Sequence, residues 1–427
     1  MPERAILAGF EHKGRGSRAH AGESLEELRE LARSAGAEIL QTVTQTVETP
    51  HAATLIGQGK VDEIAAMVTA LKANLVVFDH DLTPTQQRNL EAKLDTKVID
   101  RTQLILDIFA ARARTREGRM QVELAQLNYL LPRLTGQGTS LSRLGGGIGT
   151  RGPGETKLET DRRRIAKRIK KIEGDLEQVR TGRGLHRSKR QSIPLATLAM
   201  VGYTNAGKSS LFNKLTQAGV LADAKMFATL DPTVRGLTLP SRRKVLLSDT
   251  VGFIRNLPTT LVKAFRATLE EVADAAMLLH VVDVSSPQAG AHTAHVLKVL
   301  GEIGAVDISQ LLVLNKGDLL PEDDRDAERW ARRLLDDAGG KIEFPAVITG
   351  ALTGMGIDAL LERIDAVLPL DRIVTRRFVV PVGELGDVAL LHERGRVNRV
   401  EYGQDVCEVE AEVPESLLRR LGRWVEQ

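Results

Sequence analysis

The chain is 427 residues long, 42% hydrophobic and 27% charged, with a net charge of only +3. That balance excludes a disordered chain, and the length exceeds one ordinary core, so about three domains are expected. A near-neutral total requires any nucleic-acid partner to be met by a local patch. The single cysteine, Cys407, excludes a disulfide framework and reads as a small buried hydrophobe near a strand. Met1-Pro-Glu-Arg leads into no apolar run of signal-peptide length, and no stretch reaches the roughly 18 apolar residues of a membrane span. A cytoplasmic location is expected.

Residues 1 to 100 alternate strand and helix patterns. Ala5 to Phe10, Ile39 to Val47, Leu75 to Phe78 and Lys97 to Ile99 read as strands. Between them, helices are expected over Leu25 to Leu31 (capped by Ser24), Val61 to Leu71 and Pro84 to Leu94. The alternation predicts a small α/β domain with a parallel sheet. Gly57-Gln-Gly59-Lys60 lacks the spacing and hydroxyl of a phosphate loop and reads as a turn leading into a helix.

From 101 to 191 long helices are expected, with apolar stripes at Leu104, Leu106, Ile108 and Phe109, then at Val122, Leu124, Leu127, Leu130 and Leu131. The run Gly145 to Gly154 holds six glycines in ten residues. Glycine loses the most freedom on ordering, so this run is either a hinge or a tip that orders only against a partner, carrying Arg143 and Arg151 to it. A further helix is expected from Thr160 or Asp161. Between Arg162 and Arg190 twelve basic residues, among them Arg162, Arg163, Arg164, Lys167 and Arg168, face three acidic ones, a local charge of +9. A solvated helix face is the plainer account, but the excess favours a nucleic-acid footprint. No aromatics are interleaved, so phosphates rather than stacked bases should be met. Arg183 to Ser192 reads as a linker.

Leu195 to Val201 predicts a buried strand and Ser209 to Leu215 a helix, joined by Gly202-Tyr203-Thr204-Asn205-Ala206-Gly207-Lys208-Ser209. This fits G-x-x-x-x-G-K-[ST] in its proper strand–loop–helix setting. Its glycines let backbone N–H groups face phosphates, Lys208 supplies charge to the β- and γ-phosphates, and the Ser209 hydroxyl is suited to Mg²⁺. Asn315-Lys316-Gly317-Asp318 follows another strand end, where the Asp318 carboxylate can accept from guanine N1–H and N2–H₂, donors that adenine lacks. Between these lie two segments expected to sense the γ-phosphate. In Phe227-Ala228-Thr229-Leu230-Asp231, Thr229 offers a second Mg²⁺ hydroxyl, with Thr233 as runner-up. In Asp249-Thr250-Val251-Gly252, Asp249 holds the metal through water and the Gly252 N–H binds the γ-phosphate. Gly350, Ala351 and Leu352 close over the guanine O6 through backbone N–H groups. Position 253 holds Phe where Ras-type enzymes place a water-orienting Gln, so slow intrinsic hydrolysis is expected. Asn205 offers one remedy, a K⁺ ion held against the phosphates.

These strings, with GGGIGTRGPGETKLETD at 145–161, FATLDPT at 227–233 and DTVGF at 249–253, resemble the HflX family of ribosome-associated GTPases. The resemblance implies binding to the large ribosomal subunit and its RNA, with GTP-dependent separation of stalled or idle ribosomes. Under it the glycine run and basic helix become RNA contacts. A Ser usually opens the last guanine motif, and Gly350 departs from that. A regulatory switch recruiting a protein effector without RNA is the alternative. The fold expected is α/β. It comprises an N-terminal α/β domain (1–100), a helical subdomain (101–191), a doubly wound, mostly parallel P-loop domain (192–370), and a small α/β C-terminal domain (371–427) that suggests no role. A monomer is expected.

Overall fold

A computed structural model describes residues 3–12, 18–134, 153–190, 195–216, 226–227, 229–230, 232–255, 271–338, 344–368, 373–403, 405–414, 417–418 and 421–425. Three sheets organise them. The first is wholly parallel, in the order β2-β1-β3-β4, from Arg4–His12 (β1), Glu38–Val47 (β2), Leu75–Phe78 (β3) and Lys97–Asp100 (β4). Helices Arg18–Ser34 (α1), Gln58–Leu71 (α2), Pro84–Leu94 (α3) and Arg101–Arg112 (α4) cross over between and after these strands. Residues of β3 are buried on both faces, as a parallel sheet covered by helices requires. Gly57 precedes α2 as its N-cap, so the Gly57–Lys60 segment is the helix-leading turn it reads as. Ser24 does not cap α1. The helix begins earlier, at Arg18, and the Ser24 hydroxyl instead donates to Asp79 at 2.5 Å.

Asp100 ends β4 and caps α4 by accepting from Gln103 N–H at 2.8 Å. The next residue, Arg101, is 2% exposed and forms ion pairs with Glu27 of α1 and Asp79, the latter at 2.8 Å. A guanidinium buried this deeply is tolerable only with such partners. Helix Arg116–Leu130 (α5) follows, capped by Thr115, and Pro153–Arg190 (α6) packs against it, tied by Arg168 to Glu123. The α6 bounds correct two expectations. It starts at Pro153, not at Thr160, because proline suits a first turn whose N–H groups have no helical acceptor. It also runs to Arg190 through the stretch expected as a linker. Arg143, Arg151 and residues 145–152 lie outside the described residues.

The central sheet, order β10-β9-β8-β5-β7-β6, is built from Thr197–Gly202 (β5), Thr233–Thr238 (β6), Lys244–Asp249 (β7), Met277–Asp283 (β8), Gln310–Asn315 (β9) and Ala346–Ile348 (β10). All pairings are parallel except β6 with β7, an antiparallel edge strand that the sequence reading does not anticipate. The chain leaves β5 for β7 on one side and later places β8 on the other. The crevice at the carboxyl end of β5 is therefore a topological switch point, where open α/β sheets bind ligands. Helices Lys208–Thr216 (α7), Ala289–Glu302 (α8), Ala327–Asp337 (α9) and Ile357–Val367 (α10) flank the sheet.

One apolar cluster joins the first and central sheets: Leu28, Leu31, Phe109 and Val122 lie in the same core as Tyr203, Phe227, Phe253 and Ile254. Fully burying each large side chain contributes roughly 1.5–3 kcal/mol, so the units are firmly apposed. The third sheet is antiparallel, order β11-β13-β12, from Ile373–Pro381, Arg396–Tyr402 and Val406–Pro414, with helix Leu385–Arg394 (α11) over it. Cys407 is buried in its core. No helix among the described residues is long and apolar enough to cross a membrane.

Candidate nucleotide site

The loop between β5 and α7 has a shape that only its glycines permit. Gly202 has φ +150°, and a Cβ there would meet Val281 O at 2.2 Å. Gly207 has φ +89°, and a Cβ would meet Asn315 Nδ2, also at 2.2 Å. Asn205, at φ +62°, completes the turn. Lys208, the first residue of α7, is buried, with Nζ donating to Gly202 O at 3.0 Å and Tyr203 O at 2.7 Å. Burial lowers its pKa to about 8 despite Asp249 nearby. The lysine is thus a poorly solvated cation held over a ring of backbone groups.

Beside it three oxygens converge. Ser209 Oγ lies 2.9 Å from Thr229 Oγ1 and donates to Asp249 Oδ2 at 2.9 Å, and Thr229 Oγ1 donates to the same oxygen at 2.7 Å. Asp249 is fully buried at the end of β7, its pKa raised by desolvation and opposed by Thr229, Lys208 and Ser209. Its second oxygen, Oδ1, is buried without a hydrogen-bond partner. An orphaned carboxylate oxygen beside two hydroxyls is a hard-oxygen corner, and the set fits Mg²⁺. Thr233, the runner-up, sits on β6 instead, in register with Asp249. Thr250 ties the segment down by donating to Met200 O at 2.6 Å, and Val251 leads on to Gly252. A Cβ at Gly252 would lie 2.9 Å from Thr204 Cα and 3.0 Å from Lys208 Nζ, so this glycine sits against the loop. Ala228 and Asp231 lie outside the described residues.

At the far end, Asn315 couples two loops. Its Nδ2 donates to Ala206 O at 2.8 Å, and its Oδ1 accepts from Ala351 N at 3.1 Å. Lys316, at φ +63°, pairs with Asp283 at 2.6 Å, a partner the sequence reading missed although it ends β8 beside the motif. Gly317 N–H donates to Thr349 O at 2.9 Å, which brings Asp318 up against Gly350. Leu352 is 86% exposed on the rim. The structure therefore brings the Gly202–Ser209 loop, the oxygen corner, Asn315–Asp318 and Gly350–Ala351 together at the carboxyl end of the central sheet.

Comparison with known proteins fixes the kinship. Three family profiles match: "GTP-binding GTPase N-terminal" over residues 22–110, "GTP-binding GTPase Middle Region" over 112–190 and "50S ribosome-binding GTPase" over 197–316. The GTPase HflX of Caldanaerobacter subterraneus subsp. tengcongensis is 47% identical over 94% of this chain and 90% of its own. The chain belongs to the HflX family of GTPases. The Escherichia coli HflX is 48% identical over 80% of this chain and 78% of its own. A solved GTP-binding protein from Sulfolobus solfataricus in complex with GDP is 24% identical, with TM-score 0.46 over 85% of this chain and 98% of its own. As a member of this family the chain binds guanine nucleotides and hydrolyses GTP.

Two motif residues of this HflX-family GTPase point away from the crevice. Phe253 is 5% exposed in the shared core, and its backbone zips onto the loop: Phe253 N–H donates to Gly202 O at 3.1 Å and Thr204 N–H to Phe253 O at 2.8 Å. The Tyr203 side chain also turns to the N-terminal unit. Its hydroxyl donates to Glu27 at 2.5 Å and accepts from Arg255 N–H at 2.9 Å, and its ring stacks on His292 at 3.8 Å. Met226 N–H donates to Ser34 Oγ at 3.0 Å, and Phe227 meets Phe109 edge-on at 4.5 Å. Glu27, Ser34 and Phe109 therefore brace Tyr203 and the Met226–Phe227 segment, and Arg101 braces Glu27. No local pattern marks Glu27, Ser34 and Phe109, because Tyr203, Met226 and Phe227 lie more than a hundred residues away in sequence, and Arg101 joins them only through Glu27.

Proposed function

We propose that this GTPase associates with the large ribosomal subunit and separates stalled or idle ribosomes, with GTP hydrolysis timing its release. The observation that carries this reading is the basic run on α6. Arg162, Arg163, Arg164 and Lys167 are exposed, whereas Arg168 is held by Glu123 through two 2.7 Å hydrogen bonds. Such a surface meets phosphates, and the match to a 50S ribosome-binding GTPase profile supports ribosomal RNA as their source. Arg143 and Arg151 beside the glycine run are further contact candidates. The test is co-sedimentation with large subunits at increasing salt. A non-hydrolysable GTP analogue should promote binding over GDP, and added salt should release it. Binding indifferent to both nucleotide and salt would sink the proposal.

Within the crevice, Lys208, Thr229 and Gly252 act on the γ-phosphate, and Asp318 reads guanine beside the backbone of Leu352; the Gly350 and Ala351 N–H groups, expected to close over the guanine O6, are instead donated to Met355 O and Asn315 Oδ1. Ser209, Thr229 and, through water, Asp249 hold Mg²⁺, which when bound supplies positive charge to the β- and γ-phosphate oxygens. Buried Phe253 orients no water, so hydrolysis is slow until the ribosome or a K⁺ ion held near Asn205 intervenes. Equal turnover in potassium and sodium buffers excludes the K⁺ role. The working division of the chain is 1–100, 101–191, 192–370 and 371–427, acting as a cytoplasmic monomer.

A further inference from the structure

Gly350 occupies an unusual place in the base site. Its backbone is not left-handed, so nothing in its φ calls for glycine. What is special is the space beside it. A Cβ at position 350 would lie 2.7 Å from Asp318 Oδ1, 2.9 Å from Asp318 Cγ and 2.6 Å from Thr353 Oγ1. Separations this short are not tolerated, so the Asp318 carboxylate and the Thr353 hydroxyl stand in the volume that a side chain at 350 would fill.

The loop around Gly350 cannot yield instead. Its N–H donates to Met355 O at 2.9 Å, its carbonyl accepts from Gly354 N–H at 2.7 Å, and the adjoining Thr349 N–H donates to Leu314 O at 2.8 Å. Ala351 N–H is engaged by Asn315. The crowding atoms belong to two side chains: Thr353 Oγ1 is held in the loop by Gly350 O at 3.3 Å and Met355 N–H at 3.4 Å, whereas the Asp318 carboxylate ends a side chain that can rotate. A substitution at 350 therefore moves the carboxylate and leaves the backbone in place.

We propose that Gly350 is a specificity-setting position: its missing side chain lets the Asp318 carboxylate settle back into the loop, so guanine is read less firmly and GDP leaves faster than from a braced site. Serine at 350 would expel the carboxylate from that volume and offer it a hydroxyl donor. Alanine would expel it without a donor. The inference rests on the assignment of Asp318 to guanine, and that assignment has its own control.

The experiment measures affinity and dissociation of GDP and IDP for wild type, Gly350→Ala and Gly350→Ser. IDP lacks the 2-amino group, one of the two donors that the carboxylate reads, so the GDP:IDP affinity ratio reports carboxylate position and not loop integrity. Gly350→Ser should raise that ratio about three- to tenfold and slow GDP release by a similar factor, with Gly350→Ala between it and wild type. An unchanged or lower ratio in Gly350→Ser overturns the proposal. If Gly350→Ser binds neither nucleotide, adding Thr353→Ala removes the second crowding atom. Recovery with a raised ratio then supports the proposal, and recovery at the wild-type ratio, or none, overturns it. Asp318→Asn assayed with GDP and XDP tests the base assignment alone: failure to shift preference toward xanthine removes that reading, whatever Gly350 does.

Discussion

Replacing Tyr203 by Phe isolates one bond between the phosphate loop and the N-terminal unit. The ring, its stack on His292 and its burial are retained, and only the hydroxyl goes. That hydroxyl donates to the Glu27 carboxylate at 2.5 Å and accepts from Arg255 N–H at 2.9 Å. A hydrogen bond to a charged group contributes about 1.5–3 kcal/mol and a neutral one about 1 kcal/mol. Glu27 keeps Arg101, so its carboxylate is not stranded. The expected cost of Tyr203→Phe is therefore about 2–4 kcal/mol. Glu27→Gln supplies the second leg of a double-mutant cycle, followed by urea denaturation with circular dichroism. A coupling energy of about 1–2 kcal/mol is expected between the two positions. Additive losses, with coupling below about 0.3 kcal/mol, would refute the claim that this contact joins the two units.

Thr229→Ala removes one of the two hydroxyls against Asp249 and should raise the Mg²⁺ concentration for half-maximal hydrolysis about tenfold; an unchanged Mg²⁺ requirement in a metal titration counts against the oxygen corner. Lys208 titrates near 8 in the folded chain, so GDP affinity measured by calorimetry between pH 7 and 9 should fall as the ammonium is lost. Folding stability responds oppositely. Between about 8 and the ordinary 10.5 the unfolded chain holds the proton that the folded chain has released, so this group makes stability rise with pH across that window and contributes no slope below it. Flat GDP affinity across pH 8 would show that Lys208 does not meet phosphates.

The parts of the site legible in sequence are those whose backbone shape is written into contiguous residues. Gly202 and Gly207 announce a loop in which a Cβ would strike Val281 and Asn315, and a buried strand before Lys208 fixes its direction. Asn315 and Asp318 are legible for the same reason. What stayed hidden depends on distant partners. Ser24 looks like a cap because a hydroxyl precedes an apolar stripe, yet its partner Asp79 is supplied by the end of another strand. The start of α6 is obscured because its first turns are polar and carry no 3.6-residue apolar period to reveal them. Tyr203 reads as a nucleotide contact by position, and only the fold shows its side chain committed to Glu27.

The length of α6 has a mechanical consequence. Thirty-eight residues make a rod about 57 Å long at 1.5 Å per residue. Ile172, which is buried, and Arg168, clamped to Glu123 of α5, both sit near its midpoint. A beam pivoted at its centre is a seesaw. Tilting it by about 10° carries each tip roughly 5 Å in opposite directions, since each arm spans about half the rise of the whole. A small adjustment of α5, which shares a core with Phe227 and Phe253, would thus emerge at the ends of the beam as a displacement of several ångströms.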